Sequence, residues 1–205
     1  MIAIIDYGVG NLFSLKSSLA AVGAQAVVTG DPAAIRSAEK LILPGVGAFG
    51  DAAEKLRQSG LRQIVLDEAR GGKPLLGICL GMQLLFEESL EFGRHPGLGL
   101  LPGTIRPIGD VIPPELKIPH IGWNGLHKTA NPSRLLAGVK EGDCVYFVHS
   151  FYAAGCESCT VATAEYGAEL TAAVEQGNVF GCQFHPEKSG SVGLGILRTF
   201  CGMEG

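Results

Sequence analysis

The chain has 205 residues, of which 46% are hydrophobic and only 18% charged, a balance that excludes a disordered or solvating chain and supplies a large core. Twenty acidic against sixteen basic residues give a net charge of -4 with no Lys/Arg cluster, which excludes the footprint of general nucleic-acid or anionic-membrane binding. No uncharged apolar run approaches the roughly 18 residues of a membrane span, so the expected partners are small molecules or proteins.

The opening Met1-Ile-Ala-Ile-Ile-Asp6 lacks a basic leader and a small-residue cleavage site, so it reads as the first strand, Ile2 to Ile5, of a cytoplasmic protein. Asn11 caps a helix to Val22 whose Leu12, Leu15, Leu19 and Val22 share one face, with Gly23 just past its end. A strand over Ala26 to Thr29 follows, then a helix over Asp31 to Ala38, where Asp31-Pro32 supplies a cap with proline at the first helical position. The strand Leu41 to Leu43 leads into one long helix, Asp51 to Ala69. Gly71-Gly72 breaks the chain before the strand Leu75 to Ile78 and a helix over Leu80 to Glu87. β-branched runs alternating with amphipathic segments are the pattern of parallel strands joined by crossover helices.

Glycine and proline dominate Gly93 to Pro114, which predicts loops and a short hairpin. Strands over Asp143 to His149, Ser158 to Ala164, Leu170 to Glu175 and Val179 to Phe184 form an antiparallel or mixed set. The last two make a hairpin across Gln176-Gly177-Asn178, and a helix from about Ser189 to Cys201 closes the chain. The expected fold is therefore α/β: a central, mostly parallel mixed sheet flanked by helices, with additional antiparallel strands in the second half. No linker or repeat divides it, so residues 1–205 are expected to form one domain.

The strongest chemical signal is Gly77-Ile78-Cys79-Leu80-Gly81, an apolar strand running through G-x-C-x-G into a helix. This is a nucleophile elbow with cysteine as the nucleophile: the turn crowds its own backbone, hence the flanking glycines, and the helix N-terminus favours thiolate. A small buried cysteine beside packing glycines is the bland alternative. A cysteine nucleophile needs a base and a group to orient that base, and Phe184-His185-Pro186-Glu187 offers both. Residues two apart on a strand share a face, so His185 and Glu187 are expected to project together from a strand end while Pro186 points away.

The other histidines are weaker candidates. His95 sits in a glycine-rich loop, His120 and His127 flank Trp123 without a nearby acid, and His149 ends a strand. Gly45-Val46-Gly47-Ala48-Phe49-Gly50 satisfies G-x-G-x-x-G literally, but no acid ends the following strand to take a ribose, so a dinucleotide is a poor fit. A row of backbone N–H groups beside the nucleophile, an oxyanion hole, suits this loop better. Cys156-Glu-Ser-Cys159 is a lone C-x-x-C without further ligands at zinc spacing, and Cys144, Cys182 and Cys201 read as core residues. No cofactor or metal is expected.

These motifs resemble the class I, triad-type glutamine amidotransferases over essentially the whole chain. The carriers are Asp6-Tyr7-Gly8-Val9-Gly10-Asn11, Pro44-Gly45-Val46-Gly47-Ala48-Phe49, the cysteine elbow through Gln83, Pro119-His120-Ile121-Gly122-Trp123-Asn124, Tyr146-Phe147-Val148-His149-Ser150 and Gln183-Phe184-His185-Pro186-Glu187-Lys188. The elbow and H-P-E mark the superfamily; the first, second and fourth segments differ from those of sister glutaminases for anthranilate or guanylate synthesis. The resemblance implies that Cys79 attacks the side-chain amide of glutamine, with His185 as base and then acid and Glu187 as the orienting carboxylate. It implies oxyanion donors from the backbone of Leu80 and of Val46 or Gly47, and substrate contacts from Gln83, Glu91, Ser150 and Phe151. Phe151 departs from the tyrosine common there, which leaves its backbone N–H but no phenol. Asn11, Trp123 and Lys188 match positions facing a cyclase subunit, a (β/α)8 barrel that receives the ammonia. The residues by themselves reach a cysteine hydrolase, with a cysteine peptidase and a dinucleotide-binding module as rivals. The chain ends after its closing helix, so an ammonia acceptor is expected on another polypeptide.

Overall fold

A computed structural model describes residues 1–203. In chain order its elements are β1 (Ile2–Ile5), α1 (Leu12–Ala21), β2 (Ala26–Thr29), α2 (Pro32–Ser37), β3 (Lys40–Leu43), α3 (Phe49–Gln58), α4 (Leu61–Arg70), β4 (Leu75–Ile78) and α5 (Leu80–Gln83). Then come three short strands, β5 (Glu88–Ser89), β6 (His95–Pro96) and β7 (Thr104–Pro107), followed by β8 (His120–Gly125), β9 (His127–Lys128), β10 (Cys144–His149) and β11 (Phe151–Ala154). The chain closes with β12 (Thr160–Glu165), β13 (Glu169–Gln176), β14 (Val179–Cys182) and α6 (Gly190–Gly202).

Eight strands make the main sheet in the order β2-β1-β3-β4-β14-β13-β12-β9. From β2 to β14 the pairs are parallel; from β14 outward they are antiparallel. The central strands β1, β3, β4 and β14 are buried at every position, as strands covered on both faces must be. Alternation along them divides the core in two. Ile5, Leu43 and Leu75 pack with Ile35, Phe49, Leu56 and Val65 from α2, α3 and α4. Ile4, Ile42, Leu76 and Ile78 pack with Leu15 and Leu19 of α1 and Ile196, Leu197 and Phe200 of α6 on the other face.

The predicted caps form. The Asn11 side chain accepts the Ser14 N–H, and Asp31 accepts those of Ala33 and Ala34, with Pro32 inside the first turn. Gly177 and Asn178 are the two-residue turn between β13 and β14, and the Asn178 amide ties that turn to the carbonyls of Ala69 and Lys73.

Four local expectations are corrected. The helix expected over Asp51 to Ala69 is two helices, because Gly60 takes a left-handed conformation (φ 74°) and restarts the chain at Leu61. The helix expected over Leu80 to Glu87 stops at Gln83, since the carbonyls of Leu84, Leu85 and Phe86 are taken by the N–H groups of Leu98, Leu100 and Gly99 from the next loop. The strand expected to reach Phe184 ends at Cys182. An unpredicted strand, β8, pairs with β10 in a separate two-stranded sheet, setting His120 opposite His149 and Trp123 opposite Tyr146.

Candidate active site

In open α/β sheets ligands bind beyond the carboxyl ends of the strands, and here four neighbouring parallel strands deliver their candidate residues to that edge. β1 leads to Tyr7, β3 to Pro44–Gly47, β4 to Cys79 and β14 to Gln183 and His185. Distant sequence motifs become neighbours because the strands that carry them are.

Cys79 has φ 54° and ψ -113°, a conformation outside the regions comfortable for a side chain, and α5 begins at the next residue. The elbow's glycines are there for space. A Cβ on Gly81 would lie 1.8 Å from the Leu43 carbonyl oxygen, and one on Gly77 2.6 Å from the Met82 Cα. Gly45 presses equally close on the start of α5, where its Cβ would meet the Gly81 nitrogen at 2.7 Å. The Pro44–Gly47 loop therefore lies against the N-terminus of α5, whose first N–H groups, Leu80's among them, have no carbonyl within the helix to bond. Tyr7 holds this loop: its buried hydroxyl donates to the Pro44 carbonyl at 2.7 Å. Burial, followed by the negative charge of Cys79, raises the Tyr7 phenol far above its ordinary value, so it stays a neutral donor.

His185 and Glu187 meet, though by a different route from the one expected. Proline at 186 starts a single 3-10 turn over residues 186–188, and that turn, not a strand face, brings Glu187 Oε1 within 2.8 Å of His185 Nδ1. Both side chains are almost completely buried. Burial alone would lower the basicity of His185, but hydrogen bonds to Cys79 and Glu187 and the attraction of both charges lift it to about 9. His185 is thus set up to carry its proton at neutral pH, beside the Cys79 sulfur. Among the described residues Glu187 Oε2 has no hydrogen-bond partner.

A cavity of about 700 Å³ opens over Cys79, lined by Val46, Gly47, Leu80, Gln83, Glu91, Ser150, Phe151 and His185, with Phe92, Ile118, His149 and Lys188 also on its wall. It collects every residue expected at the nucleophile, the oxyanion loop and the substrate. The buried Glu91 carboxylate is fixed by the Phe49 N–H at 2.7 Å through one oxygen. Asn11 caps α1, which touches the 186–188 turn, and Trp123 is 58% exposed with its ring beside Gly190. Lys188 is exposed on the same turn, so the three partner-facing candidates share one side of the molecule.

Three functional contacts escaped sequence reasoning. Tyr7 and Gln183 lie in motifs already singled out, but nothing in their spacing assigns them a partner. The third is His149, whose Nδ1–H donates to the Phe151 carbonyl at 2.8 Å and whose Nε2 accepts from His120 at 3.0 Å. Burial drops it to about 4. It is a neutral structural relay on the cavity wall, while His120 stacks between Phe147 and Tyr166.

Two further side-chain expectations are corrected. Glu141, from the loop before β10, lies 2.8 Å from His127, so that histidine does have an acid partner. Cys144, expected in the core, is exposed at the start of β10. Cys156 and Cys159 are buried free thiols; the Cys159 hydrogen bond, against the opposing effect of burial, brings Cys156 to about 7. Among the described residues no group of three or more His, Cys, Asp or Glu is arranged to hold a metal ion.

The model of the class-I glutamine amidotransferase family matches residues 3–201. The chain is 51% identical over 203 residues to "Imidazole glycerol phosphate synthase subunit HisH" of Wolinella succinogenes, covering 98% of both chains. It is 50% identical over 200 residues to the protein of the same name from Methanothermobacter thermautotrophicus, covering 98% of this chain and 97% of that one. Among solved structures, a glutamine amidotransferase crystal structure aligns with TM-score 0.76 at 19% identity, over 99% of this chain and 100% of the other. PurLQS from Thermotoga maritima aligns with TM-score 0.73 at 22% identity, over 97% and 96% of the two chains. At those identities the structural likeness speaks for the fold alone.

Proposed function

This chain belongs to the class-I glutamine amidotransferase family, and we propose the following account of its work there. It is the glutaminase subunit of an imidazole glycerol phosphate synthase: it hydrolyses glutamine to glutamate and ammonia and passes the ammonia to a cyclase subunit. That subunit makes imidazole glycerol phosphate and aminoimidazole carboxamide ribotide in histidine biosynthesis. The observation that carries the chemistry is the strained elbow of Cys79 facing the buried His185–Glu187 pair across the cavity.

The Cys79 thiolate attacks the carboxamide carbon of glutamine. The developing oxyanion is met by the Leu80 N–H, first amide of α5, and by an N–H of the Val46–Gly47 segment. His185, held by Glu187 in the tautomer and orientation that face the sulfur, gives its proton to the departing ammonia. It then takes a proton from water, whose oxygen attacks the thioester carbon; the carbon–sulfur bond breaks and glutamate leaves. Glu91, bonded to the Phe49 N–H through one oxygen, has the other free for the substrate ammonium. Ser150 and Phe151 offer backbone N–H groups to its carboxylate, and a phenylalanine serves as well as a tyrosine in that role. The Gln83 amide completes the pocket. All of this rests on one glutamine amidotransferase domain spanning the chain, and the chemistry calls for no cofactor.

The partner is a (β/α)8-barrel cyclase forming a heterodimer through the side that carries Asn11, Trp123 and Lys188. Exposed apolar residues in this region, Val46, Ile118, Ile121 and Trp123 among them, support that reading, because Val46 and Ile118 also line the cavity and ammonia need not cross bulk water. The cytoplasm suits such a synthase and keeps six free cysteines reduced. The decisive test is Cys79→Ala in the complex. Glutamine-dependent synthesis should vanish while synthesis from added ammonium salts continues; full glutamine-dependent activity would sink the mechanism.

A further inference from the structure

Gln183 stands one residue beyond β14 and is wholly buried, with its backbone N–H bonded to the Ala172 carbonyl. Its side chain is the middle of a chain of amides. Gln83 Nε2 donates to two oxygens, the Phe151 carbonyl at 3.3 Å and Gln183 Oε1 at 3.0 Å, and Gln183 Nε2 donates to Cys79 Sγ at 3.8 Å, a sulfur-length hydrogen bond. The direction of the chain is fixed by counting hydrogens. With both Gln83 N–H groups committed to oxygens, Gln183 must receive on its carbonyl and can present only its NH2 to the sulfur.

From this juxtaposition we infer that Gln183 is a positioning residue for Cys79, its amide N–H holding the sulfur in line for attack and favouring the anion. The inference rests on Cys79 being the nucleophile. A buried donor aimed at an anionic sulfur forms a charge-assisted bond, stronger than a bond between neutral groups. It also differs in kind from the bond to His185. The imidazole must give its proton to the leaving ammonia, whereas an amide N–H does not titrate, so the sulfur keeps one donor throughout the cycle.

The test uses the complex with its cyclase subunit, and compares wild type with Gln183→Met, close in volume but without the donor, and Gln183→Glu, which puts an acceptor against the sulfur. Glutamine kcat should fall about 10- to 100-fold with KM within twofold, more in the Glu variant than in the Met variant. In parallel, iodoacetamide labelling followed by peptide mapping reads Cys79 against the exposed Cys144 as internal reference. Loss of a positioning donor should slow Cys79 labelling relative to Cys144 about tenfold. A purely structural role predicts the opposite, faster labelling of a loosened Cys79 together with a lower melting temperature, and either that result or an unchanged kcat overturns the inference. Should Gln183→Met fail to fold, Gln83→Met decides: it leaves Gln183 in place but removes the donor that orients it, and unchanged labelling of Cys79 there also overturns the inference. Glutaminase activity surviving in Cys79→Ala is a separate failure, of the nucleophile and not of Gln183.

Discussion

Two buried histidines of this site, 185 and 149, are driven in opposite directions by what surrounds them. His185 is lifted to about 9 although burial opposes it, because Cys79 and Glu187 both prefer it charged. Its folded value exceeds the ordinary 6.5, so its contribution to stability is complete below about 6.5 and declines as pH rises toward 9. Glutamine turnover should fall above pH 9 as the proton needed by the leaving ammonia is lost, and a pH–rate profile that stays flat beyond that point would contradict the assignment. Glu187→Gln should cost about 10²–10⁴ in kcat, since the amide cannot stabilise the imidazolium. His149 goes the other way: burial lowers it to about 4, so stability is lost as pH falls from 6.5 through that value. Denaturant titrations at pH 7 and pH 5 should show a smaller loss for His149→Asn, whose amide reproduces the Nδ1–H donor, than for wild type. At this scale Cys79, His185 and Glu187 were legible in the sequence as candidates, because elbow and H-P-E are local patterns. Tyr7 and Gln183 act across 37 and 104 residues, and His149 joins His120 only because β8 pairs with β10, so none of them leaves a spacing to read.

Elements were legible where period and caps agreed, as in α1, α2 and the buried strands. They were missed where one residue or a tertiary contact overrode the pattern. Beyond Cys182 the chain leaves the main sheet, the His185 N–H going to the Tyr146 carbonyl of β10, and β8 carries Gly122 and Gly125 with a mostly exposed face, so His120 to Gly125 shows no strand signature. Packing between elements gives a sharp prediction on α6. A Cβ on Gly193 would lie 1.9 Å from the Pro186 carbonyl oxygen, whereas one on Gly195 meets nothing within 4 Å. Gly193→Ala should destabilise by about 3 kcal/mol or more and, by displacing the 186–188 turn, reduce glutamine turnover. Gly195→Ala should stabilise by roughly 0.5–1 kcal/mol with turnover unchanged. Chemical denaturation of both variants separates a close approach from mere helix propensity.

At the scale of the whole molecule, the edge that gathers the site also leaves part of it exposed. Val46 is 45% exposed between two glycines, and Gly47 has φ 93°, so the oxyanion loop can rearrange at little steric cost. The isolated chain is expected to be a poor glutaminase that the liganded cyclase subunit switches on. One missing oxyanion donor costs about 10²–10³ in turnover, and equal rates for the isolated chain, the complex and the liganded complex would refute such gating. The strand order has a last consequence, for the life of the chain on the ribosome. β14 sits between β4 and β13, and the Cys79 N–H is bonded to the Cys182 carbonyl, so one side of β4 stays unpaired until Val179–Cys182 has emerged. The sulfur and the amide of Gln183 that reaches it are 104 residues apart in sequence. An unfinished or C-terminally clipped chain therefore carries a chemically idle thiol and an open, aggregation-prone edge. The nascent chain must extend past Glu187 before it can release any ammonia.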